Sequence, residues 1–251
     1  MEHQPAFAFS HTADYQYIES ALLARWRSYQ VLRNQFEQFV PKMLEDFQEQ
    51  RDALVSRLVS LNPGTPVQEL ERLADGQRDA WADPSWQVHK TFGERVMAEY
   101  VTVAFLSHAL SEALVNAVLA VGLAEKGATD LFRLLERSDI KEKILLGPKA
   151  IDPSYELQRT GALYETLHHL TKQRNAFVHS KIELEIQGTK VLEGSRPQRH
   201  TLAEHVRWTH RYFSLPYDLA DAIRSQLPHH LLFDSGPVER FAAHAASAHA
   251  K

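Results

Sequence analysis

One segment limits the possible folds more than any other. Tyr100 to Ala124 is the only long apolar run of the chain, and its length would span a bilayer. Near its middle it carries His108, Glu112 and Asn116, and an ionisable residue there is costly in lipid. The pattern therefore predicts a helix buried inside protein rather than in a membrane, over Thr91 to Glu125 and closed by Lys126-Gly127. His108, Glu112 and Asn116 fall at i, i+4 and i+8. They form one polar stripe, with Ser107 and Ser111 beside it, on a helix otherwise apolar nearly all round. A buried polar group without a partner costs about 1–3 kcal/mol, so the stripe needs polar groups from another element.

The other periodic segments are helical too. Tyr15 to Val40 has Ile18, Leu22, Leu23, Trp26, Tyr29, Val31 and Leu32 mostly at three- and four-residue steps. Pro41 opens a second helix to about Leu61, ended by Asn62-Pro63-Gly64. Short helices are expected over Val67–Asp75, Thr129–Arg137 and Asp139–Leu146, the last stopped by Gly147-Pro148. A longer one is expected over Pro153–Lys172. Thr201–Leu215 and Tyr217–Leu227 read as helices broken or kinked at Pro216. Ile182, Leu184 and Ile186 alternate with Lys181, Glu183 and Glu185, and Gln187-Gly188-Thr189 offers a turn before Val191 and Leu192. That is the pattern of a small β-hairpin. The expected fold class is all-α, a helical bundle with a small β-hairpin insertion after the motif described below. Residues 1–90 read as an N-terminal helical hairpin packing on the core, residues 91–228 as the main helical domain, and 229–251 as a tail. With no flexible linker between the first two, one continuous unit is expected.

Composition removes several kinds of chemistry. The 251 residues include no cysteine, which excludes disulfides, thiolate-bound zinc, iron–sulfur clusters and thiol catalysis. That fits a cytoplasmic protein. Met1 to Ser10 shows no basic segment followed by an apolar core, so no signal peptide is expected. No phosphate-binding glycine loop and no G-x-S-x-G elbow occurs. His168-His169 and His229-His230 lack a second histidine one turn away, so no metal site is read from them. The net charge of −4 hides one basic stretch, Thr171 to Arg211 at +4. Such a patch can hold a phosphate chain locally although the whole chain attracts no polyanion at long range. Trp81, Trp86, Trp208, Tyr212 and Phe213 could stack bases, but helix-spaced aromatics are more often core.

Inside that basic stretch lies Gln173-Arg174-Asn175-Ala176-Phe177-Val178-His179-Ser180. Arg174 offers a permanently charged, forked donor for phosphate oxygens. His179 can take and give protons near neutral pH. Asn175 can hold an oxygen or fix an imidazole tautomer. On a helix Asn175 and His179 share a face, with Arg174 about 100° round. The geometry expects Arg174, Asn175 and His179 at a helix end or bend. It also expects Glu112, and Asn116 with it, to point toward Arg174 or His179; pairing of Glu112 with His108 along its own helix is the competing outcome.

Arg174-Asn175-x-x-x-His179, following a helix in an all-α chain, resembles the R-x4–6-H signature of the HEPN superfamily (higher eukaryotes and prokaryotes nucleotide-binding). The polar residue directly after the arginine is part of that pattern. The resemblance covers about residues 91–225. It implies a metal-independent endoribonuclease without cofactors, a toxin or antiviral effector, acting as a homodimer with the two motifs facing each other. Arg174, Asn175 and His179 would be catalytic, with Glu112, Asn116 and His108 in support. RNA would be the substrate, and an antitoxin or regulatory protein a partner. A non-catalytic HEPN-type module that binds nucleotides or proteins is the alternative, and a purely structural helical protein the third reading.

Overall fold

A computed structural model describes residues 12–76, 84–178, 184–186, 189–192 and 201–234. The architecture is all-α. The helices are α1 (Thr12–Leu61), α2 (Val67–Gly76), α3 (Pro84–Glu125), α4 (Thr129–Leu135), α5 (Ile140–Ile151), α6 (Ala162–Val178), α7 (Leu202–Gln226) and α8 (Leu231–Asp234).

α3 is the central element, with α1, α5, α6 and α7 packed round it. By length and composition it could cross a membrane, yet 56% of its apolar window is buried inside the protein. Leu22, Trp26 and Tyr29 of α1 share one core with Tyr100 and Val103 of α3 and Phe213 and Leu219 of α7. Trp26 stacks on Phe213 with ring centroids 3.9 Å apart. A smaller core joins Leu32 of α1 to Phe92 and Val96 of α3.

Several helices run further than the sequence reading expects, in three cases through a proline. α1 continues through Pro41 without a break. Pro41 lies on an exposed stretch, so the carbonyl it leaves unbonded can turn to water. Beyond it no described residue of α1 is buried. That half packs on α2 instead, where Arg51 Nε meets Asp75 Oδ1 at 3.0 Å. α5 passes through Gly147-Pro148 to Ile151. Gly147 lies against Leu119 of α3, where a Cβ would overlap the leucine side chain. α7 is one helix through Pro216, started by a capping box in which Thr201 and Glu204 satisfy each other's backbone N–H groups.

α6 begins later than expected, at Ala162 rather than Pro153. Asp152 Oδ1 accepts from Ser154 N at 2.9 Å and Ser154 Oγ at 2.7 Å, an Asx turn followed by non-helical backbone up to Gly161. α4 has no side-chain N-cap, because Ala128 occupies the cap position. His230 is buried beside α3. Its Nε2–H donates to the Val118 carbonyl at 3.0 Å, and its Nδ1 accepts from Leu232 N at 3.2 Å.

Candidate functional site

The site is built where α3, the start of α5 and the end of α6 meet. Phe177 of α6 touches Tyr100 and Phe105 of α3, while Arg174, three residues earlier, acts electrostatically on His108. The two helices therefore run antiparallel. α5 runs parallel to α3, since Gly147 meets Leu119 and Ile151 meets Gly122. This register brings Lys143 level with Glu112.

Arg174 and Asn175 occupy the last turn of α6, which ends at Val178. Arg174 Nη1 donates to Asn175 Oδ1 at 3.0 Å. Arg174 is half-buried and Asn175 exposed. His179, the third residue of the motif, lies outside the described residues. The structure thus brings Arg174 and Asn175 together and describes the helix end that leads to His179.

The stripe on α3 is met by a cation that sequence reasoning missed. Lys143 Nζ donates to Glu112 Oε1 at 2.8 Å. Lys143 is buried, with only 1% of its side chain exposed, against 38% for Glu112. The Glu112 ion pair is therefore with Lys143 of α5 rather than with Arg174. The competing intrahelical contact also forms, with His108 Nδ1 3.9 Å from Glu112 Oε2. A signal for Lys143 was legible in the sequence: Ile140 and Ile144 mark the buried side of α5, and Lys143 shares that side as the i+3 neighbour of Ile140.

His108 binds its proton less readily than a free imidazole. Burial is the largest cause lowering its pKa. The charges of Arg174 and Lys143 act in the same direction, and those of Glu112 and Asp139 oppose them. Asp139 also caps α5, accepting from Lys141 N at 2.9 Å. Four charged side chains, from α3, α5, α6 and the α5 cap, thus act on His108. Of the two cations only Arg174 reaches the surface, so Arg174 is the one that can take a phosphate oxygen.

The remaining polar groups of α3 divide. Asn116 Oδ1 is buried with no hydrogen-bond partner among the described residues. Ser107 and Ser111 are fully buried with unpartnered hydroxyls. At 100° per residue they lie on the side of α3 that holds Tyr100, away from the Glu112 face. There Tyr100 and Tyr212 share a hydrogen bond at 3.3 Å, and the Tyr212 hydroxyl also bonds His169 Nδ1. Burial pushes both tyrosines' pKa values up, so both hydroxyls stay neutral. Tyr212 and Phe213 are core residues, and Trp208 is half-buried beside them. Among the described residues no group of three or more histidine, aspartate or glutamate side chains is placed to hold a metal ion. No family model, no curated protein and no solved structure matches the chain.

Proposed function

We propose that this chain is an endoribonuclease of HEPN type that cleaves RNA by attack of the substrate's own 2′-hydroxyl. The observation that carries the reading is the placement of Arg174. Its guanidinium is steadied by Asn175 at the end of α6, beside the His108–Glu112–Lys143 cluster and five positions before His179. In this reading Arg174 stabilises charge on the phosphorane-like transition state. His179 acts as general base on the 2′-hydroxyl or general acid on the leaving oxygen, worth about 10²–10⁴-fold. Asn175 holds the guanidinium in one rotamer, and the Glu112–Lys143 pair, buried only at its lysine end, adds fixed charge to the same cluster. The β-hairpin after the motif, a homodimer with facing motifs, a cytoplasmic location, a role as toxin or antiviral effector, and control by an antitoxin or regulatory protein belong to the same proposal. The mechanism draws on no metal or cofactor.

A non-catalytic nucleotide- or protein-binding module is the second reading. The net charge of −4 favours it, because nucleic-acid binders are commonly basic. Incubating the purified protein with single-stranded RNA in EDTA, beside His179→Ala, separates the two. Cleavage by the wild type alone supports the enzyme; intact RNA in both samples supports the module.

A further inference from the structure

α6 and α7 meet along a seam that combines aromatic rings with positive charge. His169 of α6 stacks on Trp208 of α7, ring centroids 3.7 Å apart and planes 10° from parallel. The Arg211 guanidinium lies 5.0 Å from the Trp208 ring, within cation–π reach. His169 and Trp208 are half-buried, whereas Lys172, Arg207 and Arg211 are exposed. Lys172 follows His169 by three residues and Arg211 follows Trp208 by three, so each cation is a one-turn neighbour of a ring in the seam. All three cations belong to the one net-basic stretch of an otherwise acidic chain. Arg207 has Glu204 at 3.9 Å, with both side chains well exposed. Such a pair is worth little and leaves the cation open to a stronger anion.

We propose that this α6–α7 seam binds single-stranded RNA, with Lys172, Arg207 and Arg211 on the phosphate chain and the Trp208–Arg211 stack beneath an unpaired base. The inference rests on the ribonuclease reading for its choice of ligand, and it concerns binding rather than cleavage. Cations spaced along two helices suit a chain of phosphates. A guanidinium 5.0 Å from an indole ring sets a cation beside a π-face, and base stacking on such groups tolerates any base. An acidic protein would use the cations but not the stack, which is why RNA is favoured.

The test is fluorescence anisotropy with a labelled 2′-O-methyl oligonucleotide, which has no free 2′-hydroxyl to attack. Lys172→Glu/Arg211→Glu changes two exposed residues and is compared with Lys42→Glu/Arg57→Glu on the exposed part of α1. The seam variant is expected to bind at least about tenfold more weakly, and its salt slope to fall by about 1.4 for two lost single-strand contacts. The α1 variant is expected to keep more of the affinity. Equal loss in both variants, unchanged binding in the seam variant, or no binding by the wild type would overturn the proposal. So would polyglutamate binding the seam as tightly as the oligonucleotide, which would make it an acidic-protein surface. Tight binding without cleavage of ordinary RNA would sink the ribonuclease reading alone and leave the seam standing.

Discussion

Lys143 Nζ lies 2.8 Å from Glu112 Oε1, and the ammonium is the buried partner while the carboxylate reaches the surface. The asymmetry decides how the pair responds to mutation. Glu112→Gln leaves a buried ammonium facing a neutral amide. Because Glu112 is more than a third exposed, water recovers part of the loss, and the expected cost is about 1–3 kcal/mol. Lys143→Met removes the buried charge and leaves a carboxylate that water can solvate, so it costs less. The double variant is expected to be more stable than Glu112→Gln alone. Urea midpoints of the three variants check the order. Equal stability of all three and the wild type would show the pair to be incidental.

Gly122 sits where α3, α5 and the segment before α8 converge. A Cβ there would stand 2.5 Å from Ile151 Cδ1 and 2.9 Å from His230 Nε2. Alanine gains about 1 kcal/mol of helix propensity, but overpacking at such distances costs about 1–3 kcal/mol. Gly122→Ala is expected to be destabilising despite the propensity gain. Ile151→Val in the same chain removes the methyl nearest the clash and is expected to restore part of the loss. Thermal melts of the single and double variants provide the check, and a raised Tm for Gly122→Ala would refute the packing described.

His108 makes stability depend on pH. Burial and the nearby Arg174 and Lys143 lower its pKa, while Glu112 and Asp139 pull it back. The folded state therefore binds its proton less readily than the unfolded state. Stability is full above the unfolded value of about 6.5. It is lost as pH falls from there toward the lowered folded value, where the loss levels off. His108→Gln is expected to flatten that part of the profile. Comparing urea midpoints at several pH values for the two proteins isolates this residue from the other histidines. Parallel profiles would contradict the assignment.

Much of the fold was legible because α3 imposes it. A long apolar helix needs cover on every side, and the apolar spacing of α1 and α7 showed which faces supply it. Helix ends were harder to read. Pro41, Pro148 and Pro216 are breakers by local rule, yet each sits inside a helix whose flanking residues continue the same pattern. The start of α6, at Ala162 rather than Pro153, was likewise not marked by periodicity. At the site, the stripe on α3 came from spacing, and Arg174 and Asn175 were singled out by their side-chain chemistry, though not as partners of each other. The partner of Glu112 came from neither, because it depends on the parallel register of α5 and α3, which the glycines at 122 and 147 permit.

Arg174 is expected to tolerate lysine poorly. Lysine keeps the charge but loses the forked donor that binds Asn175 Oδ1 and would span two phosphate oxygens. Arg174→Lys is expected to cut RNA cleavage by about 10²-fold or more, in line with loss of a transition-state donor, with helical circular dichroism unchanged. Single-turnover rates provide the check, and a rate within twofold of wild type would remove Arg174 from the chemistry.

The most direct measurement is the cleavage of one RNA strand and its all-deoxy counterpart in EDTA by wild type and His179→Ala, with product ends identified by mass spectrometry. The expected result is cleavage of RNA only, by the wild type only, leaving 2′,3′-cyclic phosphate and 5′-hydroxyl ends, while His179→Ala keeps its helical circular dichroism. Cleavage of the deoxy strand, ends of another kind, or a folded His179→Ala protein cutting at the wild-type rate would contradict it.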